Sequence, residues 1–193
     1  MKQCLVLLVA IFPTAALSQN NFGPLRYDYV SASLVVPELD ELGIEIGGST
    51  AVTEEFIVFG RYRDFEPGNR VEIESLQIGV GHIWNIRPSI DFVATLSYAD
   101  NEIDPPGLSS IDEEGLIVGA HVLGWATGKI ELGASVMLDN STGSSTDTVL
   151  ELGAQYFQGA NWSYGGRVRN DDDDTTLFLG VRLYFGASRR PAR

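Results

Sequence analysis

The chain has 193 residues, 44% of them hydrophobic, and a formal net charge of −13. An acid surplus of this size excludes nucleic acid as a partner, because phosphate backbones demand basic surfaces. The length suits one domain, and no Pro-rich hinge or low-complexity block divides it.

The chain opens MKQCLVLLVAIFPTAALSQN. One lysine, an apolar run over 5–12 and small residues up to Ser18 form the three-part layout of a secretory signal peptide. A transmembrane helix needs about 20 apolar residues, and Pro13 ends this run early. Cleavage after Ser18 is expected, followed by one domain over 19–186 and a short tail over 187–193. Removing the signal takes Lys2 and Cys4 with it, leaving 12 basic against 26 acidic side chains and no cysteine. An exported chain without disulfides must draw its stability from a large core or from a membrane.

From there on the alternation is of period two. It predicts ten strands, at 27–36, 42–51, 55–64, 71–85, 89–100, 114–125, 129–139, 147–158, 161–170 and 175–186. No later stretch has helical periodicity, so a chain that enters a membrane here enters it as strands. The connections TAVTEE, NIRPS, ATGK and QGAN are short. The others, PELDE, DFEPGNR, ADNEIDPPGLSSIDEE, DNSTGSSTD and NDDDDT, are generally longer and far more acidic. Short and long connections alternate, so one end of the sheet is trimmed and the other decorated. The longest connection is expected over 99–114.

The two faces differ in kind. In LQIGVGHIW, Leu76, Ile78, Val80 and Trp84 share one face, while Gln77, Gly79 and Gly81 share the other. Leu177, Leu179, Val181 and Leu183 likewise alternate with Phe178, Gly180, Arg182 and Tyr184, and Leu150, Leu152 and Ala154 with Glu151, Gly153 and Gln155. A soluble sheet would spread lysine and glutamate over its second face. After signal removal this chain has one lysine, and glycine recurs instead, which weakens an exposed strand but suits a crowded concave wall. The apolar set is therefore expected to meet lipid and the glycine-rich set to line a narrow interior. Aromatic residues near strand ends fit an interfacial girdle: Tyr27, Tyr29, Tyr62, Trp84, Tyr98, Trp125, Trp162, Tyr164 and Phe185.

Alternation, loop asymmetry and the last strand GVRLYF together resemble the small outer-membrane β-barrel proteins of Gram-negative bacteria, such as the membrane domain of OmpA. In the last strand the resemblance rests on Gly180, Leu183 and Phe185. It departs from the usual pattern in that GASRRPAR follows the aromatic residue. The resemblance implies a single antiparallel up-and-down transmembrane barrel, all-β, of ten strands with eight as the alternative count. It also implies a place in the outer membrane, contact with its lipid and lipopolysaccharide, and insertion by the barrel assembly machinery. No external partner can be named.

Enzymes exist among outer-membrane barrels. The omptin-like proteases are longer and carry Asp and His at the outer rim, and lipid A deacylases carry a His–Ser motif absent here. The two histidines, His82 and His121, are expected near short turns, and neither has a Ser or Asp spaced as a triad. No catalytic residue or cofactor is assigned. The acids Asp171 to Asp174 and Asp100, Glu102, Asp104, Asp112, Glu113 and Glu114 are of the type that holds calcium or magnesium. They lack EF-hand spacing, and a solvated face is the preferred reading, with no metal site assigned.

The interior charges suggest a filled lumen. A turn centred on Thr53 sets Glu45 opposite Arg61, and a turn near Gly159 sets Glu151 close to Arg167. Arg63, Arg169 and Arg182 add interior positive charge, and Asp91 and Glu131 further acid. Enclosed charges need partners, so Glu45, Arg61, Glu151, Arg167, Arg169 and Arg182 are expected to form an ion-paired plug. The leading expectation is a structural or surface-contact barrel acting through acidic external loops. A narrow outer-membrane channel and a soluble lipocalin-like ligand carrier stand as alternatives.

Overall fold

A computed structural model describes residues 25–37, 42–65, 72–141, 146–171 and 174–185. The expected signal peptide, the tail over 187–193 and the centre of the 171–174 acidic run lie outside these residues. The chain forms ten strands: β1 (Tyr29–Val36), β2 (Gly43–Ala51), β3 (Phe56–Phe65), β4 (Glu72–Arg87), β5 (Ile90–Asp104), β6 (Ile111–Thr127), β7 (Ile130–Asp139), β8 (Asp147–Phe157), β9 (Trp162–Asp171) and β10 (Asp174–Tyr184). Each pairs with its sequence neighbours, and β1 pairs antiparallel with β10 from Tyr29↔Tyr184 to Val36↔Leu177, so the sheet closes on itself. Closure leaves no unpaired edge along the wall. Among the described residues no helix is long and apolar enough to cross a membrane. Among the described residues the count is ten, not eight.

Turn chemistry fixes one end. Residues 88–89 join β4 to β5 and residues 128–129 join β6 to β7. The β2–β3 turn is pinned by the Thr53 hydroxyl, which accepts from the N–H groups of Glu55 at 3.2 Å and Phe56 at 3.0 Å. Thr127 repeats the device for Lys129 and Ile130 at 3.3 and 3.1 Å, as short hydroxyl side chains do where a chain must reverse. Register shifts at Asn85/Arg87 and Trp125/Thr127 sit beside the two tightest of these turns, the usual place for a β-bulge.

The opposite end differs from expectation. Residues 99–114 are mostly strand: β5 runs to Asp104 and β6 starts at Ile111, leaving a connection of 105–110. Composition suggests a loop, but period two persists beneath it, with Ala99 and Asn101 buried while Asp100 and Glu102 stay exposed. Asp100, Glu102, Asp104, Asp112 and Glu114 are the outer face of a hairpin that stands above the rest of the wall, while Glu113, opposite Asn101, has inward parity. Asp64, Glu74, Glu102 and Asp112 are successive cross-strand partners, four carboxylates in a row. Like charges set directly opposite are destabilising and persist here at the end of the barrel where water screens them.

The outer face between the two ends is apolar. Val30, Leu34, Ile44, Ile46, Leu76, Ile78, Val80, Leu96, Leu116, Val118, Leu152, Leu179, Val181 and Leu183 are all exposed. A soluble barrel turns such residues inward. Strands of 8–17 residues meet the roughly 9–11 tilted residues that cross a bilayer. Tyr62, Trp84, Tyr98, Trp162, Tyr164 and Phe185 stand on this outer face, all but the mid-strand Tyr98 near strand ends, as a girdle requires. Three members of the expected girdle do not. Tyr27 is buried, Tyr29 alternates inward with Ser31 and Ser33, and Trp125 shares the inner face with His121 and Leu123. Parity decides the side on which a strand residue lies, and Tyr29 and Trp125 have inward parity, while Tyr27 precedes β1.

Candidate functional site in the lumen

The interior is narrow because glycine lines it. A Cβ on Gly79 would come within 2.5 Å of the Phe59 ring and 2.6 Å of Ser97 Cβ, and one on Gly81 within 2.8 Å of Ile57. Large inward side chains thus lie across the glycines of neighbouring strands and fill the bore in three layers.

At the short-turn end the fill is apolar. Leu25, Tyr27, Ile57, Ile83 and Val93 form a buried cluster, with Ala51, Phe59, Leu123 and Trp125 packed against it. Trp125, Phe157 and Tyr184 continue it as a run of rings with centroids 4.7 and 5.2 Å apart. Asp91 is buried here and satisfied: its carboxylate accepts from the Tyr27 hydroxyl at 2.9 Å and from Asn85 Nδ2 at 2.7 Å.

The middle layer is ionic. Glu45 is 3% exposed, and its carboxylate accepts from Arg63 Nη2 at 3.1 Å and from Arg167 Nη2 at 2.7 and 2.8 Å. Arg167 also holds Nε 3.0 Å from Glu151 Oε2, at an angle that makes the contact electrostatic rather than a hydrogen bond. Arg169 stands 3.2 Å from Asp171 and 3.6 Å from Asp139, and Arg182 3.6 Å from Glu131. Phe178, wholly buried, carries guanidinium groups over its ring, Arg167 at 3.9 Å and Arg63 at 5.1 Å from the centroid. Such stacking favours arginine over lysine. Beside this layer a cavity of about 70 Å³ is lined by residues including His121, Glu131, Ser135, Glu151, Gln155, Arg167 and Arg182.

At the long-loop end the fill is mixed. Ala99, Ile117, Met137 and Val149 form a second buried cluster. Over it Asp139 accepts from the Ser141 hydroxyl at 2.6 Å, and Asn101 Nδ2 donates to the Ser141 carbonyl at 3.0 Å. The lumen is therefore ionic at its centre, mainly apolar where it meets the short turns and mixed above.

All six expected lumen residues point inward. The pairing differs in detail. Glu45 faces Arg63 across the β2–β3 ladder, and Arg61 faces Gly47. Glu151 faces Arg169 across β8–β9, yet reaches diagonally to Arg167. Both hairpin centres lie one residue later than expected, which moves partners by two and leaves faces unchanged. Glu45 thus joins β3 to β9 across the bore. Arg61 makes no ion pair among the described residues. Asp139 and Phe178 were legible only as inward by parity; Arg167 is the cross-strand neighbour of Phe178, whereas Arg63 on Phe178 and Arg169 on Asp139 come from non-adjacent strands.

The histidines are separated by the wall. His121 lies mid-strand on the inner face, six residues before the end of β6, where Nε2 is 2.9 Å from Thr95 Oγ1. Its expected place beside the turn is corrected because β6 runs on to Thr127. His82 lies on the outer face between Phe56 and Trp84, with ring centroids at 4.6 and 4.1 Å. Among the described residues no three His, Cys, Asp or Glu side chains are grouped to hold a metal ion.

No protein-family model matches this sequence, and no curated protein matches it. Solved structures do resemble the fold. The KdgM porin superposes with a TM-score of 0.51 at 11% identity, covering 82% of this chain and 99% of that one. The fold is that of an outer-membrane β-barrel. The translocator domain of the autotransporter NalP from Neisseria meningitidis gives 0.48 at 14% identity, over 81% of this chain and 87% of that one. Ail, the attachment invasion locus protein of Yersinia pestis, gives 0.41 at 11% identity, over 83% and 100%. At these identities the likeness extends to the barrel, while the lumen's ion pairs are described from this chain alone.

Proposed function

We propose that this chain is an exported outer-membrane barrel of a Gram-negative bacterium that serves the envelope structurally or by surface contact, with a lumen closed to solutes. Its short turns face the periplasm, and its acidic hairpins face outward. The observation that carries the reading is the three-layer fill, in which the ion-paired centre is covered by packed side chains on both sides. An open diffusion pore keeps a water path, and a bore holding Glu45, Arg63, Arg167 and Phe178 in mutual contact does not.

The apolar outer face supports residence in lipid, after cleavage of the 1–18 signal and insertion by the assembly machinery. It speaks against a soluble carrier, whose apolar residues would line the cavity instead. The acidic hairpins, with Asp64, Glu74, Glu102 and Asp112 in one row, favour contact with cationic surfaces or with lipopolysaccharide through divalent ions. A narrow channel is the second reading, favoured by the polar cavity beside Glu151 and Arg182.

The test has two parts. The protein should require detergent for extraction and shift its gel mobility on heating. Reconstituted in planar bilayers, it should give no stable conductance steps. Regular ion-conducting steps would overturn the closed lumen and leave the channel.

A further inference from the structure

The four residues before β1 are not strand, yet they cross the whole short-turn mouth. Leu25 and Tyr27 are buried against Ile57, Ile83 and Val93, which belong to β3, β4 and β5. The Tyr27 hydroxyl donates to Asp91 on β5 at 2.9 Å. Arg26 turns the other way: its guanidinium donates to the Ala160 carbonyl in the β8–β9 turn and stands 5.2 Å from the centroid of the Tyr184 ring on β10. Asp28 is the fixed end. Its carboxylate accepts from Thr50 Oγ1 at 2.7 Å and the Ala51 N–H at 3.0 Å, and its carbonyl accepts from the Phe185 N–H at 3.0 Å.

Above this segment lies the cavity of about 70 Å³. Leu123 belongs to both, lining the cavity and packing against the Leu25–Tyr27 cluster. Leu123 is thus the point at which the cluster and the cavity meet. The polar part of the lining, Glu131, Ser135, Glu151, Gln155, Arg167 and Arg182, stands among glycines and alanines around a volume that holds several waters, at about 10–15 Å³ each.

Among the described residues, side-chain contacts rather than a β-ladder hold residues 25–27, and Asp28 ties them to β2 and to Phe185. Segments held this way open at lower free energy than the sheet beside them. We propose that residues 25–28 are a strap across the periplasmic mouth, and that its release admits small polar solutes from the periplasm to the cavity. This rests on the reading of the lumen as closed and of the short-turn end as periplasmic. The strap makes closure at that end conditional, while the ionic layer above remains in place.

The test uses a single thiol behind the strap. The chain's one native cysteine is Cys4, so a Cys4→Ser, Ser135→Cys protein carries its probe in the cavity lining, where Ser135 is 6% exposed. The full chain is expressed, processed, folded into lipid nanodiscs and exposed to a small methanethiosulfonate, with labelling followed by mass spectrometry and folding by heat-modifiable mobility. With the native strap, labelling should be slow. Adding Leu25→Ala and Tyr27→Ala should speed it about tenfold or more, because the rate tracks the open population. Tyr27→Phe, which removes only the hydroxyl given to Asp91, should fall between.

Equally slow labelling in all folded variants overturns the strap and leaves the closed lumen standing. Equally fast labelling in all of them, matching a cysteine at exposed Leu108, overturns both. If the double alanine variant does not fold, Tyr27→Phe decides: a rate equal to that of the native strap sinks the proposal.

Discussion

Glu45→Gln is the most informative single change in the lumen. The carboxylate is almost wholly buried and lies between two guanidinium groups, Arg63 at 3.1 Å and Arg167 at 2.7 Å. Neutralising it strands both cations unequally. Arg167 keeps Glu151 at 3.0 Å, whereas Arg63 pairs with Glu45 alone among the described residues. Breaking a buried pair from one side costs about 3–5 kcal/mol, most of it the burden of the charge left behind. The loss should therefore approach that range and be dominated by Arg63. Adding Arg63→Met, which keeps the stem against Phe178 and removes the stranded charge, should recover a large part of it. Adding Arg167→Met instead should recover less, because it orphans Glu151. Urea or guanidinium unfolding in lipid vesicles, followed by tryptophan fluorescence and gel mobility, reads all four proteins on one scale. A Glu45→Gln loss below about 1 kcal/mol, the value of an exposed pair, would refute the reasoning. So would a double variant with Arg63→Met that is weaker than the single.

Three further outcomes follow from the faces of the wall. Leu152→Arg should cost roughly 2–4 kcal/mol of stability in vesicles if its side chain meets the bilayer midplane, whereas Leu108→Arg, at an exposed turn, should change little. Gly79→Ala should destabilise by about 1–3 kcal/mol through overpacking against Phe59 and Ser97. The neighbouring outward Gly60→Ala, whose new methyl finds nothing nearer than 3.5 Å, should be tolerated in the same unfolding assay. Protease added to intact cells should cut within 105–110 rather than in the flanking acidic strands, since ladder hydrogen bonds protect β5 and β6 up to Asp104 and Ile111. Peptide mapping would show it.

Much of the fold was legible because the chain alternates so regularly. The ten strands and the inward or outward sense of Leu76 to Gly81 follow from period two alone. The registers did not follow to the residue. In the β2–β3 turn, Thr53 looks central, but its hydroxyl caps the two residues after it and the reversal centres one residue later. That single step replaces Arg61 by Arg63 as the partner of Glu45. The 99–114 stretch was obscured by composition: acids, Pro105 and Pro106 suggest a loop, while the alternation of Ala99, Asn101 and Ile103 with Asp100, Glu102 and Asp104 was already present. Trp125 and Tyr29 betrayed their inward sense by parity, though not by residue type. Contacts across the bore, such as Arg167 with Glu45, join strands 122 residues apart. No local pattern specifies them. The first strand was expected from residue 27, yet the ladder begins at Tyr29, and the place of residues 25–28 depends on the mouth they fill.

The claim beneath all of this is that one face of the wall meets lipid and the other a packed interior. The three tryptophans can decide it. Trp84 and Trp162 are exposed on the outer face, 46% and 42%, while Trp125 lies inside against Phe157. In single-tryptophan variants folded into vesicles of brominated lipid, which quenches indole on contact, Trp84 and Trp162 should be strongly quenched. Trp125 should be nearly untouched. Quenching of Trp125 equal to that of Trp84, or of none of the three, would contradict the account.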